Sequence, residues 1–125
     1  MAMVFAMLAH SQTSLSFCTF VNNQTQECVF ENNKFITTPD STHARLFMMI
    51  RSQVPFDTTR LTFKIYSIDR FGKEVYLNSV LEDIQQDWRT VWQPALFVTP
   101  GKYMVKVYCD EQQIITSGGF ELFNN

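Results

Sequence analysis

Glycine and proline are scarce, four of each in 125 residues, and histidine occurs twice, as His10 and His43. So few breakers exclude collagen-like and low-complexity chains. The three cysteines, Cys18, Cys28 and Cys109, show no C-x-x-C spacing. With two histidines they make no Cys/His zinc pattern, so no metal and no cofactor are expected. No basic residue precedes Lys34, the ten lysines and arginines are scattered, and the net charge is −2. That excludes the clustered basic surface on which nucleic acid binding depends, and it disfavours anionic membranes. No apolar run approaches the roughly 18 residues of a membrane-spanning helix. Motifs of chemistry are missing too: there is no G-x-S-x-G elbow, no Walker loop and no H-E-x-x-H.

What is present is a globular composition, 46% hydrophobic and 18% charged, with twelve phenylalanines and two tryptophans. The length fits one domain, and large rings suit a sheet core better than an alanine-rich bundle. Residues 1–14 form an apolar N-terminal segment. Met1 to Ala9 is wholly apolar, and Ala9-His10-Ser11 has small residues at the first and third positions, as a signal-peptidase site does. The segment lacks a basic start and is short. An export-signal remnant is preferred to an N-terminal apolar strand, and 15–125 is read as the single domain. Cys18 and Cys28 bracket the polar stretch TFVNNQTQE. In an oxidising compartment they close it as a disulfide; in a reducing one they remain thiols. Asn23-Gln24-Thr25 matches the N-glycosylation pattern, at a frequency chance alone supplies.

Period-two alternation predicts strands at 15–21, 27–30, 45–51 and 61–68, the last returning through Val75 and Leu77 around an Asp69–Lys73 hairpin loop. After Pro100-Gly101, Tyr103, Val105 and Val107 alternate with Met104, Lys106 and Tyr108. A last strand starts at 113–116, breaks at Gly118-Gly119 and resumes at 120–123. The stretch 80–93 is ambiguous. Ser79 and Glu82 have capping-box spacing, and Leu81, Ile84, Trp88 and Val91 fall at helical intervals before Pro94. The β-forming run 88–93 favours a strand there, preceded by a loop or short helical turn near 80–87.

Phe97-x-x-Pro100-Gly101-x-Tyr103-x-Val105-x-Val107 resembles the F-strand region of PKD and other immunoglobulin-like domains. Tyr103 stands where those domains place a tyrosine-corner residue, after the turn at Gly101. The hairpin from Tyr66 through Asp69 and Gly72 to Val75 is similar to that of macroglobulin-type sandwiches. The resemblance covers about the second half of the chain and implies an all-β fold, an immunoglobulin-like antiparallel β-sandwich of about seven strands. The PKD signature and the thioester motif are absent, so no functional residue carries over.

Trp88, Arg89 and Trp92 are the foremost ligand or partner candidates. On a strand, Trp88, Thr90 and Trp92 would share one face and Arg89 and Val91 the other. An exposed tryptophan row stacks on sugars or anchors a protein partner. The preferred structural alternative packs at least one tryptophan between the sheets. Phe71, at a hairpin tip, is a second candidate. Glu82, Asp83 and Asp87 read as a solvated turn. His43, close to Asp40 and Ser41, reads as an ordinary strand-entrance residue, because a triad is assembled in space and seldom from one loop. An edge strand at 113–116 is a candidate for strand addition. These features point to a non-enzymatic binding or assembly module with a protein partner, secreted, periplasmic or of the cell envelope in preference to cytoplasmic. The alternative is a carbohydrate-binding module using Trp88 and Trp92. A weaker one is a small hydrolase using His43.

Overall fold

A computed structural model describes residues 13–37, 44–110 and 112–124. Its strands are β1 (Thr13–Cys18), β2 (Phe20–Asn22), β3 (Glu27–Val29), β4 (Lys34–Ile36) and β5 (Ala44–Ser52) in the first half. The second half supplies β6 (Arg60–Ile68), β7 (Glu74–Asp83), β8 (Thr90–Phe97), β9 (Gly101–Cys109) and β10 (Gln113–Phe123). There is no helix among the described residues. Residues 1–12 of the expected N-terminal segment lie outside the described residues, while Thr13 and Ser14 already open β1.

Eight strands make two layers, a three-stranded sheet in the order β1-β5-β8 and a five-stranded sheet in the order β4-β10-β9-β6-β7. All layer pairings are antiparallel except that of β4 with β10. The alternation that marks strands in the sequence also sorts the faces. Leu46, Met48 and Ile50 of β5 meet Leu61, Phe63 and Ile65 of β6 and Tyr103, Val105 and Val107 of β9 in the core between the sheets. Phe120 is the centre of this core. Its ring lies 4.7 Å from Phe97, 4.8 Å from Phe17 and 5.3 Å from Tyr103, centroid to centroid. Offset and edge-on ring pairs of this kind add to the stabilisation from burial.

Tyr103 closes the core at the β8–β9 turn. Its hydroxyl donates to the Thr99 carbonyl four residues upstream, which makes a tyrosine corner, and burial pushes its pKa up. Two glycines permit the arrangement. Gly101 has a φ of +148°, which L side chains rarely adopt. At Gly119, a Cβ would sit 2.9 Å from the Tyr103 carbonyl oxygen.

The remaining strands, β2 and β3, form a separate two-stranded ribbon. It lies on the outer face of the three-stranded sheet, where Val21, Cys28, Phe47, Met49 and Trp92 make a second small apolar cluster around Cys18. Cys18 and Cys28 are joined as a disulfide, with a Cα–Cα distance of 5.6 Å. The ribbon turn is built by Asn22, whose Oδ1 accepts the Gln24 and Thr25 N–H groups at 2.9 and 3.2 Å. Its last residue, Gln26, takes a left-handed φ of 59° and donates its N–H to the Asn22 carbonyl at 2.7 Å. Arg51 Nη2 reaches from β5 to the Gln26 carbonyl at 2.7 Å and fixes the turn over the sheet.

The ambiguous stretch 80–93 is resolved in a way the periodicity does not predict. No helical turn occupies 80–87: Val80, Leu81, Glu82 and Asp83 finish β7, paired with β6, and Ser79 caps nothing. The helical spacing is a coincidence of two strands and a bend. A strand starting at residue 88 is also corrected, because β8 begins at Thr90 and runs through Pro94 to Phe97. Pro94 is tolerated there because β8 is an edge strand, with one side free of ladder bonds.

Candidate functional site

The loop between β7 and β8 carries Trp88 and Arg89, and three main-chain bonds hold it against the end of β5 and the loop that follows. Ser52 N–H donates to the Arg89 carbonyl at 2.8 Å, Phe56 N–H to that of Trp88 at 2.9 Å, and Asp57 N–H to that of Gln86 at 3.0 Å. Within the loop, Trp88 N–H donates to the Gln85 carbonyl at 3.1 Å. Backbone satisfied in this way does not rearrange readily, so the two side chains leave a fixed platform.

That platform is one wall of a cleft of about 420 Å³, lined by Gln26, Glu82, Trp88, Arg89, Thr90, Val91 and Trp92. Three elements converge on it: the ribbon turn gives Gln26, the end of β7 gives Glu82, and the loop and start of β8 give the rest. The volume falls in the range of small-ligand sites, roughly 300–1,000 Å³. Trp88 is 39% exposed, while Trp92 is half-buried against the cluster under the ribbon. Among the described residues, the Arg89 guanidinium and the Glu82 carboxylate make no side-chain hydrogen bond or ion pair. Burial, and then the neighbouring Asp83 carboxylate, push the Glu82 pKa up.

All three of Trp88, Arg89 and Trp92 therefore border one cavity, though not as a row on one strand. The packing of a tryptophan between the sheets is also corrected. Val91 takes the core position at the start of β8, so Trp92, one residue on, points to the outer face. Phe71 stands apart from this cleft. It is 80% exposed at the β6–β7 tip, with the Arg70 guanidinium 4.9 Å from its ring centre. Asp69 builds that tip by accepting the Phe71 and Lys73 N–H groups, each at 2.9 Å, and Gly72 takes a φ of +82°. His43, Asp40 and Ser41 lie outside the described residues.

Two participants stand outside the foremost candidates: Gln26 is not singled out in the sequence, and Glu82, read there with Asp83 and Asp87 as a solvated turn, instead ends β7 together with Asp83. Gln26 is 56 residues before Glu82, and nothing in the local pattern of either indicates the other. A wider polar notch of about 490 Å³, lined by Thr59, Arg60, Asp83, Ile84 and Asp110, offers less. Its charges are already engaged, Arg60 with Asp83 at 3.1 Å and Asp110 with the Thr58 hydroxyl at 2.8 Å.

No family model matches the chain, and no curated protein matches it in sequence. Solved structures do. An immunoglobulin-like protein from Pseudomonas aeruginosa superposes with a TM-score of 0.56 at 11% identity, over 87% of this chain and 91% of its own. The fold is immunoglobulin-like. The PmoD soluble domain from a Methylocystis species gives a TM-score of 0.52 at 14% identity, covering 88% of this chain and 90% of that one. At such identities the likeness shows architecture alone, an immunoglobulin-like β-sandwich with no specific family attached.

Proposed function

We propose that the protein is a non-enzymatic binding or assembly module of the cell envelope or extracellular space, and that it engages a protein partner at the Trp88–Arg89–Trp92 cleft. One observation carries the reading: a loop pinned by three main-chain bonds presents an exposed tryptophan and an unengaged arginine together at a cavity. Tryptophan and arginine are enriched in interface hot spots, the first for its large rigid ring and the second for its fork of directional donors. The Cys18–Cys28 disulfide supports an oxidising compartment, where such bonds form and persist. The test places a photo-crosslinking amino acid at Gln86, on the exposed loop beside Trp88, in the native host. A single crosslinked protein, lost on adding Trp88→Ala or Arg89→Ala, is the expected result. Crosslinking that survives both changes would sink the reading.

A carbohydrate reading has its own support in the same cleft. Two indoles accompany an amide, a carboxylate and a guanidinium, the planar groups that bind sugar hydroxyls while a ring stacks. It predicts a shift or quenching of tryptophan emission on titration with a panel of polysaccharides, abolished by Trp88→Ala. Unchanged emission across the panel would count against it.

A further inference from the structure

Among the described residues, the outer edge of β7 is the longest open strand edge. Of its ten residues all but Leu77 pair with β6 on one side, and among the described residues nothing pairs with the other. By comparison β8 is interrupted by Pro94, and β10 is flanked by β9 and, at Glu121–Phe123, by β4. Natural sheets blunt such edges with lysine, proline or inward charge. Between Glu74 and Glu82, β7 reads VYLNSVL, with no charge and no proline. Val75, Tyr76, Leu77 and Leu81 are all exposed along it.

We infer that β7 pairs with β7 of a second copy, antiparallel and about a two-fold axis, to join the five-stranded sheets of two molecules into one. The occupant follows from charge and register. An edge normally avoids its own copy through like-charge repulsion, but Glu74 and Asp83, the two end residues of β7, are each paired within the chain, which leaves Glu82 as the one unpaired acid of the strand among the described residues. Glu74 bonds Lys106 Nζ at 2.7 Å, and Asp83 bonds Arg60 Nε at 3.1 Å. The register with β6 skips Leu77, which marks a bulge there and leaves residues 78–83 as a regular segment. Directly opposed residues of an antiparallel pair share a face, so the two-fold axis must pass through a residue of that segment. Centred on Val80, it sets Glu82 against Asn78 and Leu81 against Ser79 of the other copy, and no two acids meet. The two Leu81 side chains then lie diagonally across the axis on one face, within reach of each other. Pairing along one short edge makes a small interface, the class to which weak and transient contacts belong, so dissociation is expected on dilution.

Sedimentation velocity across a dilution series of the oxidised protein tests this, with hydrogen exchange read at the same concentrations. The expected result is a concentration-dependent dimer whose β7 amides gain protection as it forms. Leu81→Lys, at a position 48% exposed and outside the cleft lining, weakens the dimer at least about tenfold by placing two ammonium groups near the axis. Leu96→Lys, on the β8 edge at a position 58% exposed, leaves it intact. A wild type that stays monomeric, or a Leu81→Lys variant that dimerises as before, overturns the inference. So does a monomer whose outward β7 amides, those not bonded to β6, are already protected, since the edge would then be covered within the chain.

Discussion

Reducing the Cys18–Cys28 bond probes what holds the ribbon on the sheet. The bond closes a sequence separation of 10 residues. Chain-entropy arithmetic for a loop of that size gives about 2.7 kcal/mol at 25 °C. An unfolding entropy of about 2.1 cal/mol/K per residue converts this to a fall in Tm of about 10 °C for the whole chain. The sandwich itself should survive, because the bond lies outside the core that Phe120 organises. The local readout is Trp92, packed with Cys28, Met49 and Val21 beneath the ribbon. On reduction its emission should shift to the red as water enters, while the far-ultraviolet circular dichroism keeps its β signature. Thermal scans and emission spectra with and without a dithiol reductant supply both numbers. A Tm change below about 2 °C with unmoved emission would refute the reasoning. It would show that the Arg51–Gln26 bond and the Val21–Met49 contact hold the ribbon without the covalent link.

The other consequences are more local. Tyr103→Phe keeps the ring on Phe120 and removes only the donor to Thr99, so it should cost about 1 kcal/mol and about 4 °C in Tm by thermal unfolding. Burial raises the Tyr103 pKa, so the unfolded chain ionises first: this stability is present below the ordinary tyrosine value near about 10 and is lost above it, and Tyr103→Phe should flatten the alkaline decline. Gly119→Ala drives a methyl into the Tyr103 carbonyl oxygen and should cost about 1–3 kcal/mol, whereas Gly118→Ala meets only the Leu15 and Phe17 side chains at 3.4 Å or more and should be much milder in urea unfolding. Glu82→Gln should stabilise the fold at neutral pH. Its raised pKa means that the folded state takes up the proton first, so the ionised carboxylate is a cost at neutral pH, and the advantage should vanish below about pH 4.

The architecture was legible wherever one strand buries one face. Residues 63–66 and 103–108 alternate because their outward positions carry Lys64, Tyr66, Met104, Lys106 and Tyr108, while Phe63, Ile65, Tyr103, Val105 and Val107 are buried. The Asp69–Lys73 hairpin and the turn at Gly101 were readable from turn chemistry alone. The stretch 80–93 defeated the period because its apolar residues belong to different environments. Leu81 is exposed on an edge, Ile84 and Val91 are buried, and Trp88 sits on a loop. β4 (Lys34–Ile36) is not among the strands that alternation predicts, because three residues are too few to show any period. The cleft was half legible. Tryptophan and arginine announce themselves by type, whereas Gln26 and Glu82 acquire their places only when the ribbon folds across β5.

The two outer faces of the sandwich are treated differently, and that difference favours the proposed binding cleft over the opposite face. On the five-stranded sheet the exposed polar groups satisfy one another. Lys106 bonds Glu74 and lies 4.9 Å from the Tyr66 ring centre, Lys64 lies 4.8 Å from that of Tyr108, and the Tyr76 hydroxyl meets Ser79 at 2.6 Å. A ligand on that face would have to break these contacts before making its own. On the three-stranded sheet Cys18, Phe47, Met49 and Trp92 are apolar, and the ribbon covers them. The cover ends at Gln26, and there the unengaged Arg89, Glu82 and Trp88 surround open space. A disulfide in this position adds little to the core. Its physical effect is to hold the ribbon turn as a wall of the cleft, so the covalent bond and the cleft make one unit. Under the proposed function, reducing the bond should therefore weaken the Trp88-dependent crosslink to the partner, while the far-ultraviolet circular dichroism shows the sandwich still folded.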